Sequence, residues 1–133
     1  MTPTDGREKA LLCVQFALEK KAHDVVVMDV GKLTSLADYF VVCSGRSDTQ
    51  VQAIAQAIET NLREHGMRPL SLEGYSRGQW VIMDYADVIV HVFLEPVREF
   101  YDLDRLWARA PRLQLPEPYN SQVEDLRRAD RAR

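Results

Sequence analysis

Apolar residues recur along this chain at two spacings, one helical and one extended, and the switches between them divide it into elements. From Asp5, with Glu8 three residues on as a capping-box partner, Leu11, Val14 and Leu18 fall at i, i+3 and i+7. They predict a helix that ends near Lys20 and Lys21, cations suited to a helix C-terminus. The runs DVVVMDV (24–30) and DYFVVCSG (38–45) are short and rich in β-branched or aromatic residues, and turn residues bound them, so they predict two strands. Their near-continuous apolarity implies that both faces are covered. Ser47, with Gln50 at the capping-box position, opens a second helix whose stripe is Val51, Ile54, Ala55, Ile58 and Leu62, stopped by Gly66 and Pro69. PLSLEG (69–74) predicts a short third strand, and QWVIMDYADVIVHVF (79–93) two more as a hairpin. Pro96 suits the first turn of a last helix with apolar positions Val97, Phe100, Leu103, Leu106 and Trp107, ended by Pro111. The order α-β-β-α-β-β-β-α predicts one α/β domain over residues 1–110, a mixed five-stranded sheet flanked by helices. From Pro111 the chain turns polar, charged and proline-punctuated, which predicts a poorly ordered tail over residues 111–133 with a frayed helix after Ser121.

Composition narrows the class. A chain of 133 residues is long enough to bury about two thirds of its surface in a single core without disulfides. Cys13 and Cys43 sit in apolar runs with no Cys/His cluster near them and are expected as buried thiols in a reducing compartment. The N-terminus lacks signal or transit character and no apolar run approaches the length that spans a bilayer, so a cytoplasmic protein without a membrane role is expected. The 17 basic and 20 acidic side chains give a net charge of -3, the wrong sign for broad contact with phosphate backbone, which disfavours direct nucleic-acid binding. Charge is uneven: Glu73, Asp84, Asp87, Glu95, Glu99, Asp102 and Asp104 face only Arg77 and Arg98 in the block 73–104, while arginines dominate after it. An acidic block suits either a basic partner or ordinary solvation.

The hairpin concentrates the candidate chemistry. A two-residue turn at Tyr85 and Ala86 pairs Asp84 with Asp87, Ile82 with Ile89 and Trp80 with His91. Alternation then puts Trp80, Ile82, Asp84, Asp87, Ile89, His91 and Phe93 on one face, and Val81, Met83, Val88, Val90, Val92 and Leu94 on the other, a pure core face. A metal site is disfavoured because His23, His65 and His91 are far apart with no ligand spacing. Acid or base work by His91 with Asp84 or Asp87 lacks any legible nucleophile or phosphate-cradling element beside it. Two readings remain open: a recognition surface, because Trp80, Phe93, Arg98 and Tyr101 are of the kinds that concentrate binding energy, and a packed Trp80–His91 pair under a helix.

The segments LADYFVVCSGRSDTQVQAIAQAI (36–58) and LEGYSRGQWVIMDYADVIVHVFLEPVREFYDLDRLW (72–107) resemble the ribosomal silencing factor family, RsfS, also called Iojap-like. The resemblance rests on Asp38-Tyr39-Phe40, Ser44-Gly45-x-Ser47, Glu73-Gly74, Trp80, Asp84, Val90-His91-Val92-Phe93, Arg98, Tyr101 and Leu106-Trp107. Ala86 stands where the family usually has glycine. The resemblance implies a nucleotidyltransferase-like fold without catalysis. It also implies binding to a large-subunit ribosomal protein, number fourteen, on the intersubunit face, blocked joining of the small subunit, and lowered translation when nutrients are scarce.

The expected partner-binding residues are therefore Trp80, Asp84, His91, Phe93, Arg98 and Tyr101, with Glu73 and Asp87 adding charge complementarity; no cofactor is expected. A basic ribosomal protein is the expected partner, and a homodimer that hides the aromatic face is open for the free protein. The alternative is a small nucleotide-handling enzyme with a degenerate motif, using Asp38, Asp48 or Asp84 with magnesium. Against it, CSGRSD reverses the Gly-Ser order of such enzymes and supplies only Asp48, not the paired carboxylates that hold two magnesium ions.

Overall fold

The computed structural model describes residues 5–131; the first four residues of the span 1–110 and the last two of the tail lie outside the described residues. The first helix, α1 (Gly6–Glu19), starts where the carboxylate of Asp5 accepts a hydrogen bond from the Glu8 N–H at 2.8 Å. Strands β1 (His23–Asp29) and β2 (Tyr39–Gly45) follow. Helix α2 (Asp48–Glu64) is capped by Ser47, whose Oγ accepts from the Gln50 N–H at 3.1 Å. The Gln50 side chain accepts from the Arg46 N–H and donates to the carbonyls of Lys20 and Lys21. One residue thus ties the end of α1 to the start of α2. Then come β3 (Ser71–Glu73), β4 (Trp80–Asp84) and β5 (Val88–Leu94), followed by α3 (Glu95–Tyr101), α4 (Leu103–Leu106) and α5 (Tyr119–Arg131).

The five strands form one mixed sheet in the order β1-β2-β5-β4-β3, parallel only between β2 and β5. Its central strands are covered on both sides, which is why they read as unbroken apolar runs. On one side Val41, Cys43, Val81, Met83, Val90 and Val92 pack beneath α1 and α2 with Val14, Ile54, Ile58 and Leu62. On the other, Met28, Phe40, Val42 and Phe93 pack with Leu103, Ala110 and Trp107. Each such side chain, fully removed from water, stabilises the fold by about 1.5–3 kcal/mol before entropy is charged against it. Cys13 and Cys43 are free and buried, and burial pushes both thiols up to about 12.

Two expectations are corrected here. The last helix is not continuous: Asp102 takes a left-handed conformation (φ 51°) that ends α3 and starts α4. The stripe Val97, Phe100, Leu103, Leu106 and Trp107 is split by that break, with Val97, Leu103 and Trp107 against the sheet and Phe100 and Leu106 turned to solvent. The segment expected as a poorly ordered tail instead packs on the domain. The Asp29 N–H donates to the Pro111 carbonyl and the Leu113 N–H to the Val27 carbonyl, both at 2.8 Å, so residues 111–113 line the outer edge of β1. Helix α5 then lies on α1 and β1 with Val123 buried, Tyr119 Oη donating to Gln15 Oε1 at 3.2 Å, and Arg127 bridging Asp24 at 3.1 Å. An uncovered β1 edge would leave backbone groups unpaired, and this segment satisfies them.

Candidate functional site

The hairpin turns one residue later than the sequence alone suggests. Asp84 accepts a hydrogen bond from the Ala86 N–H at 2.8 Å, and the Tyr85 N–H donates to the Val88 carbonyl at 2.8 Å, which leaves Ala86 and Asp87 as the two-residue turn. Ala86 occupies the left-handed region at φ 73°, the conformation for which glycine is preferred. The pairs are therefore Trp80–Phe93, Ile82–His91 and Asp84–Ile89, and the expected pairings of Trp80 with His91 and Asp84 with Asp87 are corrected. The slip is two residues, an even number, so the strand faces are those expected. Asp87 leaves that face: its carboxylate meets Lys9 Nζ of α1 at 2.5 Å, and the same ammonium donates to the Tyr85 carbonyl. Like charges that the expected register set opposite each other are thereby separated.

On the α3 side of the sheet Trp80, His91 and Phe93 come together with Tyr101. The Trp80 ring lies over Phe93 at 4.8 Å between centroids and meets Tyr101 at 4.8 Å, and its Nε1–H donates to His91 Nδ1 at 3.2 Å. Trp80 and His91 thus touch as diagonal rather than direct neighbours. Trp80 is placed by the tight loop before it, where Gly74 and Gly78 have positive φ; a Cβ on Gly74 would lie 2.0 Å from the Trp80 carbonyl oxygen. Phe93 is fully buried and His91 is 8% exposed. Burial alone lowers the His91 pKa from 6.5 to about 4, so it is neutral near pH 7.

Arg98 also faces inward, its side chain only 11% exposed. Its Nη1 donates to the Asp24 carbonyl at 2.7 Å and to Ser44 Oγ at 2.9 Å, and its guanidinium pairs with Asp104 at 3.2 Å. It straps α3 and α4 to the beginning of β1 and the end of β2. The block of seven acids is partly consumed in the same way, with Asp84 in the turn, Asp87 on Lys9, Glu95 on Arg46 and Asp104 on Arg98. Glu73 and Glu99 remain in solvent. Glu73 pairs with Ile82 and so lies on the Trp80 face, one strand over.

Two residues of this surface escaped the site reading. Phe100 is 80% exposed and meets edge-on, at 5.1 Å, a Tyr101 that is 49% exposed; Leu106, at the end of α4, is 74% exposed. The helical spacing predicts Phe100 and Leu106 as part of a buried stripe, and the local signal against it is Asp102, a residue type that tolerates the left-handed backbone. Half-buried Trp80 meets Tyr101, so Trp80, Tyr101 and Phe100 form a continuous run of ring contacts at the surface, of the residue kinds in which binding energy concentrates.

The carboxylates of the enzyme alternative do not assemble. Asp38 precedes β2 and Asp84 ends β4, near the same end of the sheet, while Asp48 begins α2 beyond the far end of β2. The seven residues of β2 put Asp48 about 20 Å from Asp38. Asp38 opens on a shallow cleft shared with Asp5, Arg7 and Asp29. Among the described residues no three His, Cys, Asp or Glu side chains converge to hold a metal ion, and no helix is long and apolar enough to cross a membrane.

The family model described as "Ribosomal silencing factor during starvation" matches residues 3–133. The ribosomal silencing factor RsfS of Bacillus subtilis is 39% identical over 110 residues, 81% of this chain and 93% of that protein. The chloroplastic protein Iojap of Zea mays is 27% identical over 121 residues, 86% of this chain and 53% of that protein. A crystal structure of a Chromobacterium violaceum protein superposes with a TM-score of 0.77 at 34% identity, covering 87% of this chain and 99% of that one. The resemblance seen in the sequence is thus a family relationship, and the chain belongs to the ribosomal silencing factor (RsfS) family, of which the Iojap proteins are relatives.

Proposed function

We propose that this chain is a translation repressor that docks on the large ribosomal subunit and, by its bulk, keeps the small subunit from joining when nutrients are scarce. The observation that carries the reading is the exposed ledge of Phe100 and Tyr101 continued by Trp80. Such an apolar centre with a charged rim is the layout of a protein-binding hot spot. The partner is a basic large-subunit ribosomal protein, number fourteen, to which Glu73 and Glu99 present charge of the right sign. In this reading Trp80 and Tyr101 touch the partner. His91, Phe93 and Arg98 support them from below, and Asp84 and Asp87 shape the hairpin. Blocking requires volume rather than chemistry: a compact chain of 133 residues has a radius of gyration of roughly 14 Å, enough to fill a closely apposed intersubunit gap. No catalytic group takes part, and the action is cytoplasmic. In the free protein a second copy covers the same ledge.

Co-sedimentation of the purified protein with isolated large subunits, followed by addition of small subunits, tests this. Saturable binding to the large subunit with fewer joined ribosomes is expected, and a folded Phe100→Asp variant should lose both effects. Wild-type protein that leaves the pellet unchanged at micromolar concentration refutes the proposal. Light scattering across a concentration series tests the second copy, which a strict monomer at every concentration excludes.

A further inference from the structure

Beneath the ledge His91 is a polar side chain in an apolar place. Its ring meets Phe40 edge-on at 5.2 Å, lies nearly parallel to Phe93 at 6.1 Å, and is flanked in register by Val42 and Ile82. A ring nitrogen that accepts a hydrogen bond carries a lone pair, so acceptance from the Trp80 indole at Nδ1 places the single proton of neutral His91 on Nε2. That Nε2–H is buried and, among the described residues, without a hydrogen-bond partner. An unpaired buried donor opposes folding, and a hydrocarbon side chain would fill this space without it. What no hydrocarbon supplies is the acceptor at Nδ1.

We propose that His91 is a positioning residue for docking: its neutral Nδ1 holds the Trp80 indole in the orientation that completes the apolar ledge. The inference rests on the docking reading above. With its one polar atom bound inward, Trp80 presents only hydrocarbon at the surface, and the ring is fixed between Phe93 and Tyr101. Without the acceptor the indole N–H must turn to water, and the ring leaves the ledge with it. Protonation would have the same effect, since a charged imidazole donates from both nitrogens and sets N–H against N–H. The charged groups near this nest are few. On the β2 side is Ser44, bound to Arg98, which pairs with Asp104 of α4; the hairpin end holds Asp84, bound to the Ala86 N–H; α3 contributes the Tyr101 phenol. None of them offers His91 a compensating carboxylate within the ring contacts.

The test separates orientation from docking. Indole N–H proton resonances of the free protein, assigned by comparison with Trp107→Phe, should show a slowly exchanging Trp80 signal. His91→Leu should shift that signal, speed its exchange at least tenfold and weaken large-subunit binding about tenfold, while the variant still unfolds cooperatively. His91→Asn, whose Oδ1 falls close to the place of Nδ1, should restore both to within threefold. Should His91→Leu fail to fold, His91→Gln, whose amide reaches the Nε2 position instead, serves as the acceptor-free variant. Wild type that never binds large subunits sinks the docking reading. Wild type that binds, with an acceptor-free variant that binds equally well or keeps the wild-type Trp80 signal, overturns the role of His91 alone.

Discussion

Mild acid should weaken this fold through His91 by an amount that follows from its burial. The group is held neutral down to about pH 4, against an ordinary value of 6.5, by loss of solvation. Between those two values the unfolded chain carries the His91 proton and the folded chain does not. The unfolded state thus binds more protons, and stability falls as pH falls. Well above pH 6.5 both states are neutral there and His91 adds no pH dependence. The span from 6.5 to about 4, at 1.36 kcal/mol per pH unit, corresponds to about 3 kcal/mol lost at the acid end. By pH 5 about 2 kcal/mol of it is already gone. Urea unfolding of wild type and of the non-titrating His91→Asn, in half-unit steps from pH 4.5 to 7.5, isolates this quantity because every carboxylate contributes to both curves. The stability of wild type relative to the variant should drop by about 2 kcal/mol between pH 7 and pH 5. Curves that run parallel across the window would refute the burial argument and with it the neutral, accepting His91.

Other expectations follow from single contacts. Ala86→Gly should stabilise the protein by about 1 kcal/mol, because it relieves a left-handed alanine at φ 73° at a cost in unfolded-chain entropy smaller than the strain; a thermal melt that falls instead would place the strain elsewhere. Arg98→Lys should cost about 2 kcal/mol in chemical denaturation, since one ammonium cannot reach the Asp24 carbonyl, Ser44 Oγ and Asp104 together, and an unchanged midpoint would count against the strap. Phe100→Ser should leave stability within about 0.5 kcal/mol, as the ring is already 80% exposed. Covering about 160 Å² of that ring is worth up to about 4 kcal/mol, and after ordering costs about 2 kcal/mol, so subunit binding should fall roughly thirtyfold; equal binding would remove Phe100 from the interface. Cys13 and Cys43, both pushed up to about 12, leave on the order of one thiolate in ten thousand at pH 8. Ellman's reagent should label them only as fast as the fold opens, and immediate labelling would contradict their burial.

Most elements were legible because their signals are local. Asp5 with Glu8 and Ser47 with Gln50 mark helix starts through bonds that span three residues, and β-branched runs mark the strands. The hairpin faces were legible for a less obvious reason. The true register differs by two residues from the expected one, and a period of two returns every side chain to the same side. Trp80, His91 and Phe93 therefore cluster although their pairing was misassigned. The departure of Asp87 was not legible, because its partner Lys9 is 78 residues away. Nor was the inward turn of Arg98, whose Asp24 anchor is 74 residues away.

By itself, then, the amino-acid pattern determined which segments are helices and strands, which strand face is core, and the family to which the chain belongs. The elements and the core face depend on side-chain period and on capping bonds a few residues long, and the family on the resemblance of residues 36–58 and 72–107 to its motifs. Only the tertiary structure decided what that core face leaves outside. The left-handed turn at Asp102 throws Phe100 and Leu106 outward, the segment from Pro111 closes the β1 edge, and the His91 ring is shut in with the Trp80 indole donating to its Nδ1. Each of these depends on contacts between residues distant in the chain, whose free energy exists only once the sheet and its helices have come together.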